Sequence, residues 1–205
     1  MKPSNIGFMV YLKQAWLVIL LALVYGAGLA GVQIGLSPRI EQNKKDETYR
    51  VIPDLVPGAD ARWIEETRVP FEGKEVLVYR ANTQAGDPMG WVVPASGQGF
   101  ADKIEILIGL DPEVHTITGV YVLNQKETPG LGDYITGIDF TSRFAGKSTG
   151  ERLEAVRGGA VKDNQIDAIT GATISSNAVT SIVNTAVETL GGALRERASG
   201  KEKSG

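Results

Sequence analysis

The longest apolar segment of the chain runs from Ala15 to Leu36 without a charged residue. A helix rises about 1.5 Å per residue, so a helix over this segment spans the roughly 30 Å hydrocarbon core of a bilayer. Trp16 stands near its start, where interfacial aromatic anchors are common. We therefore predict a transmembrane helix at 15–36, preceded by a short cytoplasmic tail at 1–14.

A cleaved signal peptide and a buried helix are the alternative explanations of this segment. A signal peptide has a shorter apolar region, about 7–15 residues, and a small-residue cleavage site, which Gly26-Ala27-Gly28 imitates only loosely. A retained anchor is the favoured explanation. Lysine and arginine residues lie on both sides of the segment and do not decide its orientation, and a long following domain translocates largely regardless of nearby charge.

Polar residues follow the anchor at 37–48 and predict a helical stalk or linker. A folded domain is predicted at 49–197, and the polar residues 198–205 are predicted to be a disordered tail. Within the domain, strand-forming segments lie between turn residues. These predicted strands are Lys74–Arg80, Gly90–Pro94, Ile104–Leu110 and His115–Leu123.

Helical spacing of apolar residues marks Ser175–Arg197, which is predicted to be a long amphipathic helix. The Gly191-Gly192 pair is a candidate for a break or an end in it. Segments Phe140–Phe144 and Arg152–Arg157 are predicted to be short helical or turn pieces. The fold class that follows is mixed α/β, a largely antiparallel sheet flanked by helices, with one N-terminal transmembrane helix.

Composition narrows the chemistry that the domain can perform by itself. There is no cysteine, and His115 is the one histidine, which argues against thiolate clusters and most haem or zinc sites. The formal net charge of -3 argues against nucleic-acid binding. No metal site and no catalytic residue is predicted, and redox chemistry would need an organic cofactor. Trp63 and Trp91 are predicted to be core residues.

A turn rich in small and hydroxyl residues, Asp167–Ser176, lies directly before the predicted long helix. The first N–H groups of a helix have no partner within it, so this turn could receive a phosphate. The residues alone favour a simpler explanation, in which Thr173 and its neighbours are ordinary N-cap residues. A threonine hydroxyl is also a poor nucleophile without a base to activate it.

The same turn resembles the flavinylation motif of the FMN-binding domain family, Asp-x-x-(Ser/Thr)-Gly-Ala-Thr. Asp167, Thr170, Gly171, Ala172 and Thr173 match it position by position. In that family a separate magnesium-dependent flavin transferase, with FAD as donor, esterifies the last threonine to the FMN phosphate. The resemblance implies a flavoprotein and phosphoprotein with FMN bound covalently to Thr173. Asp167 would either be recognised by the transferase or cap a turn.

A second stretch, Glu127–Gly132, is by itself a tight turn built on proline and glycine. It also resembles the Glu-Thr-Pro-Gly-Leu-Gly loop of the same family, which lies beside the isoalloxazine ring. The resemblance implies further cofactor-binding residues in this chain. They are Glu127, Thr128, Gly130 and Leu131 in the loop, Thr170, Gly171 and Ala172 in the first motif, and Phe100 after Gly97-Gln98-Gly99.

The resemblance extends over roughly 79–190. Over this range the chain resembles above all the G subunits of Rnf complexes, and less the C subunits of sodium-translocating NADH:quinone reductases. It implies an electron relay, rather than a self-sufficient enzyme, within an ion-translocating ferredoxin:NAD oxidoreductase. The implied partners are the other subunits, a flavin transferase and the membrane, with the flavin domain on the periplasmic side of the inner membrane. A membrane-anchored flavin-binding sensor and a structural assembly subunit are the rival functions.

Overall fold

The computed structural model describes residues 5–71 and 74–199, and the side chains within 14–70 and 75–199. Helix α1, Asn5–Leu55, is continuous through the predicted anchor and the predicted linker. The chain forms two compact units that divide between Lys45 and Asp46, so α1 contributes to both. In the described part of the first unit, the helix is long and apolar enough to cross a membrane, and its large apolar side chains from Trp16 to Leu36 are exposed.

The last turns of α1 are part of the core of the second unit. Thr48, Val51, Ile52 and Leu55 follow helical spacing and are buried. The hydroxyl of Thr118 donates to the carbonyl of Leu55 at 2.5 Å, which satisfies one of the carbonyls left unpaired at the end of a helix. The core of the second unit therefore begins within the last turns of α1.

A five-stranded antiparallel sheet with strands in sequence order forms the centre of the second unit. Its strands are β1 (Ile64–Phe71), β2 (Lys74–Asn82), β3 (Pro88–Gln98), β4 (Lys103–Leu110) and β5 (Ile117–Asn124). The predicted mixed α/β class and the antiparallel sheet are confirmed. Strand β1 was not predicted, because its sequence IEETRVPF mixes charged residues into a weak alternation.

Helix α3, Thr173–Ala198, covers one face of this sheet. Its predicted apolar stripe packs against alternate residues of β4, among them Ile104, Ile106 and Ile108. Gly97 in β3 permits this approach, since a Cβ there would lie 2.7 Å from the Ile182 side chain. The end of α1 covers the opposite face, where Leu107 belongs to its cluster. The sheet is thus buried between two helices.

Three details of the sequence prediction change in the structure. Residues 152–157 contain strand β6 (Glu154–Val156), which pairs in parallel with β7 (Gln165–Asp167), instead of a short helix or turn. The Gly191-Gly192 pair does not end α3, because Leu190 and Leu194 are buried on either side of it. Trp63 is exposed, whereas Trp91 is in the core as predicted. Residues 200–205 of the predicted tail lie outside the described residues.

The short helical piece predicted near Phe140 is confirmed. Helix α2 is Ile138–Thr141, and a 3-10 helix follows at Ser142–Phe144. The rings of Phe140 and Phe144 are buried and meet edge to face at 5.4 Å between centroids, a favourable aromatic geometry. A further 3-10 helix at Gly132–Thr136 links β5 to α2. These pieces close the core beside α3.

Candidate functional site

Parallel pairing of β6 and β7 brings two turns to the same place. Val156 pairs with Asp167, and the N–H of Ala168 donates to the carbonyl of Val156 at 2.7 Å. Because the carboxyl ends of parallel strands lie at the same edge, Arg157 and the turn that starts at Ala168 leave the strands side by side. That turn leads directly into α3.

The turn before α3 is held by its own hydrogen bonds. Gly171 has φ of 84°, in the left-handed region that favours glycine. The hydroxyl of Ser176 accepts from the N–H of Ile169 and donates to the carbonyl of Ala172, each at 3.0 Å. Ser176, which lies inside the helix, thereby fixes the turn that precedes it.

Thr173 is the first residue of α3, and Ala172 occupies the N-cap position without a side-chain cap. The N-cap explanation of Thr173 is therefore wrong. Its Oγ1 instead accepts a hydrogen bond from Nε of Arg157 at 3.0 Å. The hydroxyl that the sequence singles out contacts a cationic side chain.

A buried carboxylate joins this turn to two other segments. Glu127 is only 3% exposed. Its Oε1 accepts from the N–H of Ala101 at 3.1 Å, and its Oε2 accepts from the N–H of Phe100 at 3.3 Å and from the hydroxyl of Ser175. Charge-assisted hydrogen bonds of this kind are about twice as strong as neutral ones. Glu127 thus ties the β3–β4 turn and the start of α3 to the loop after β5.

The loop after β5 folds around a single carbonyl. The oxygen of Thr128 accepts from the N–H groups of Leu131, Gly132 and Asp133 at 3.2, 2.9 and 3.3 Å. A Cβ at Gly132 would lie 2.9 Å from Cβ of Glu127 and 3.0 Å from the Ser175 hydroxyl. Glycine at this position is what lets the loop lie against the start of α3.

An ion pair reinforces the β3–β4 turn from outside. Nζ of Lys126 lies 2.9 Å from a carboxylate oxygen of Asp102. The hydrogen bond from the Lys126 ammonium, together with one from the N–H of Lys103, holds the pKa of Asp102 below its ordinary value. Both side chains are largely exposed, so the pair contributes little to stability. The pair instead helps to position the Glu127 carboxylate at the β3–β4 turn, because Lys126 is next to Glu127 in the chain.

Together with the end of β6, the three segments line a cavity of about 500 Å³, within the range of small-molecule sites. Phe100, Leu131 and Ile174 form an apolar part of its wall and are 61%, 44% and 58% exposed. Arg157 is the one charged residue among the described residues that line it. The remaining lining residues are Thr128, Gly132, Gly158, Ala168, Ile169, Thr170, Gly171, Ala172, Thr173 and Ser175. The cavity joins an apolar wall to a cationic end at the Thr173 hydroxyl.

Comparison with known proteins identifies a family whose sequence model covers the residues that line this cavity. The sequence model of the FMN-binding domain matches residues 99–188. The G subunit of the ion-translocating oxidoreductase complex from Methanosarcina acetivorans is 32% identical over 146 residues, which cover 70% of this chain and 78% of that protein. The chain belongs to the FMN-binding domain family. The corresponding G subunit from Pseudoalteromonas atlantica is 31% identical over 132 residues, 60% of each chain, so the match leaves part of that relative uncovered.

The fold has a counterpart among solved structures. The crystal structure of Shewanella oneidensis NqrC superposes with a TM-score of 0.67, covering 78% of this chain and 99% of that chain. The two sequences share 19% identity, so this likeness describes the fold alone. The mixed α/β architecture is therefore one already observed in nature.

The residues of the cavity fit the cofactor for which the family is named. An FMN molecule combines a flat aromatic ring with an anionic phosphate, and the cavity offers apolar side chains and one guanidinium. A Cβ at Gly171 would lie 2.9 Å from Cδ1 of Leu131, so glycine keeps the space between turn and loop open. No carboxylate of the described residues lines the wall to repel a phosphate.

Most of the residues singled out in the sequence lie on this wall. They are Phe100, Thr128, Leu131, Thr170, Gly171, Ala172 and Thr173. Glu127, Gly130 and Asp167 do not line it: Glu127 is buried behind the wall, and Oδ1 of Asp167 is buried without a hydrogen-bond partner among the described residues. Their assignment as cofactor or transferase contacts stays a prediction.

Sequence reasoning missed Arg157 and Gly158, which line the cavity from the end of β6. A three-residue strand carries almost no periodic signal, and its pairing with β7 joins residues that are distant along the chain. The available signal was the run Arg157-Gly158-Gly159, a cation next to a turn.

Replacing Glu127 by alanine should lower the free energy of unfolding by about 2–3 kcal/mol, because two backbone N–H groups and a buried hydroxyl lose a charged acceptor. The measurement is urea denaturation of the purified full-length protein in detergent. Glu113→Ala, which removes an exposed glutamate, is the control and should change the free energy by less than about 0.5 kcal/mol. Equal values for the two variants would contradict the role given to Glu127.

Proposed function

We propose that this chain is an electron-relay subunit of a membrane-bound, ion-translocating oxidoreductase complex and that it carries FMN bound covalently to Thr173. Membership of the FMN-binding domain family and relatives named as G subunits of such complexes support the proposal. The observation that carries the covalent part is the Thr173 hydroxyl, which lies on the wall of a cavity of about 500 Å³ and contacts Arg157, the one cationic residue on the described part of that wall.

The attachment is a phosphoryl transfer to the threonine hydroxyl. A flavin dinucleotide donates its FMN phosphoryl group, and a flavin transferase supplies the base and metal ion. The bond that forms joins Oγ1 of Thr173 to the phosphorus, and the bond that breaks is the pyrophosphate bond to AMP. AMP leaves, and the hydroxyl proton passes to the transferase, which supplies the activation that a threonine lacks.

Bound FMN supplies reversible electron transfer. The chain's own residues hold it: Thr173 provides the tether, and the apolar wall of Phe100, Leu131 and Ile174 offers surface to a flat ring. A tether at the phosphate leaves the ring free to exchange electrons with neighbouring carriers. It also prevents loss of the cofactor to a dilute extracytoplasmic space.

The proposed complex transfers electrons between ferredoxin and NAD and couples that flow to ion transport. In it, α1 anchors the chain and the flavin domain lies on the periplasmic side of the inner membrane. The uncharged segment 15–36 and its exposed apolar side chains support an anchor. The other subunits of the complex are the proposed electron donors and acceptors.

Co-expression with a flavin transferase should give a chain that fluoresces as a flavoprotein on a denaturing gel, because an ester bond survives denaturation. Thr173→Ala should abolish the band. Thr185→Ala, an exposed threonine on the same helix, is the matched control and should retain it. Fluorescence that persists in Thr173→Ala would move the attachment to another residue, and a dark wild-type band would refute attachment.

Loss of the flavin should stop electron flow if the chain is a relay. Membrane vesicles whose complex contains Thr173→Ala should lose electron transfer from reduced ferredoxin to NAD, down to the level of vesicles without the chain, while the complex still assembles. Assembly is checked by affinity purification of the partner subunits. Undiminished electron transfer would favour a sensor or an assembly subunit over a relay.

The absence of cysteine from the sequence allows a direct test of sidedness. Ser181→Cys introduces one thiol at an exposed position on α3. A membrane-impermeant maleimide should label it in intact cells, whereas Ser4→Cys in the predicted cytoplasmic tail should react only after permeabilisation. The reverse pattern would place the flavin domain in the cytoplasm.

A further inference from the structure

Arg157 differs from Arg152 and Arg143 in what its guanidinium contacts. Arg152 pairs with Glu188, and Arg143 donates to backbone carbonyls. Arg157 forms no ion pair with a carboxylate among the described residues, and its hydrogen bond goes from Nε to Oγ1 of Thr173 at 3.0 Å. A guanidinium carries several further N–H donors, so most of its donor capacity is free for a ligand in the cavity.

The backbone fixes the place from which this side chain starts. Arg157 follows β6 directly, and β6 is held to β7 by parallel pairing and by the bond from the N–H of Ala168 to the carbonyl of Val156. Gly158 and Gly159, with φ of 84° and 109°, then turn the chain away. The backbone, and not an ion pair with a neighbouring carboxylate, thus positions Arg157 at the cavity.

We propose that Arg157 is the phosphate-recognition residue of this site and makes the cavity prefer a phosphorylated flavin to riboflavin. The inference rests on the flavin site of the proposed function and adds the residue that determines its specificity. A guanidinium matches two phosphate oxygens with parallel N–H donors, which a lysine ammonium cannot do. As the one charged residue on the described wall, Arg157 is the residue able to neutralise the phosphate there.

Because Arg157 contacts Thr173, it can bind the phosphate of FMN both before and after the ester bond forms. Before attachment, the guanidinium donates to Oγ1. In the phosphoester, Oγ1 would be the bridging oxygen and the negative charge would lie on the non-bridging oxygens, two bonds away across the phosphorus. The same donors can then bind those oxygens without a change in the backbone. Arg157 therefore binds the phosphate and positions it.

The test uses the full-length chain produced without a flavin transferase, so that no ester forms. Quenching of flavin fluorescence gives the dissociation constants for FMN and for riboflavin. We expect the wild type to prefer FMN and Arg157→Gln to lose about tenfold of that preference, with the riboflavin constant unchanged. Arg157→Lys should retain part of the preference, because it keeps the charge but not the paired donors.

Arg152→Gln is the matched control, since it removes an equal charge from an exposed residue that does not line the cavity. It should leave the preference for FMN unchanged. Raising the salt concentration should weaken FMN binding to the wild type more than to Arg157→Gln, because screening acts on the charge that was removed. Unchanged circular dichroism and thermal unfolding of Arg157→Gln would show that the fold is intact.

A wild type that does not prefer FMN to riboflavin, or an Arg157→Gln variant with the full preference, would overturn the inference. Its failure is distinguishable from that of the proposed attachment, which is read separately as the flavin mass gained in the presence of a transferase. Full flavin mass together with an Arg157-independent preference would reject only the role of Arg157. An Arg157-dependent preference without any mass gain would reject only the covalent bond.

Discussion

The cavity depends on the hydrogen bonds that the buried carboxylate of Glu127 accepts. A charge at 3% exposure is costly unless hydrogen bonds satisfy it, and here the partners are Ala101, Phe100 and Ser175, which lie 26, 27 and 48 residues away in sequence. The hydrogen bonds to this one carboxylate therefore hold three segments of the chain together. The loop after β5, the β3–β4 turn and the start of α3 share this acceptor, and together with the end of β6 they line the cavity.

The sequence predicted those parts of the fold that have a local periodic signal. The α3 stripe and four of the five strands are examples, because side-chain periods of 3.6 and 2 are visible within a short window. A helical stalk or linker was predicted as far as residue 48, but the continuation of α1 to Leu55 was not, since the polar residues after Pro38 obscured the helical spacing that follows them. The β6–β7 pair was missed because a three-residue parallel strand is specified by distant contacts.

The residues of the candidate site likewise divide into those that a local motif predicted and those that depend on distant contacts. Thr173 and Leu131 were predicted because each belongs to a motif that is continuous in the chain, and both line the cavity. Glu127 belongs to the same loop motif, but its burial could not be predicted, because it depends on partners outside the motif. Arg157 was missed for the opposite reason: it has no motif of its own and reaches the Thr173 hydroxyl through strand pairing. The apolar wall and the cation together make the cavity suited to a flavin phosphate.

The most direct test of the account is peptide mass spectrometry of the chain purified from its native membranes. Trypsin cleaves after Lys162 and Arg195, so one peptide, 163–195, contains Thr173 and the whole turn before α3. Covalent attachment at Thr173 predicts that this peptide carries the added mass of FMN and that fragmentation assigns it to Thr173. An unmodified 163–195 peptide, or a flavin on a different residue, would contradict it.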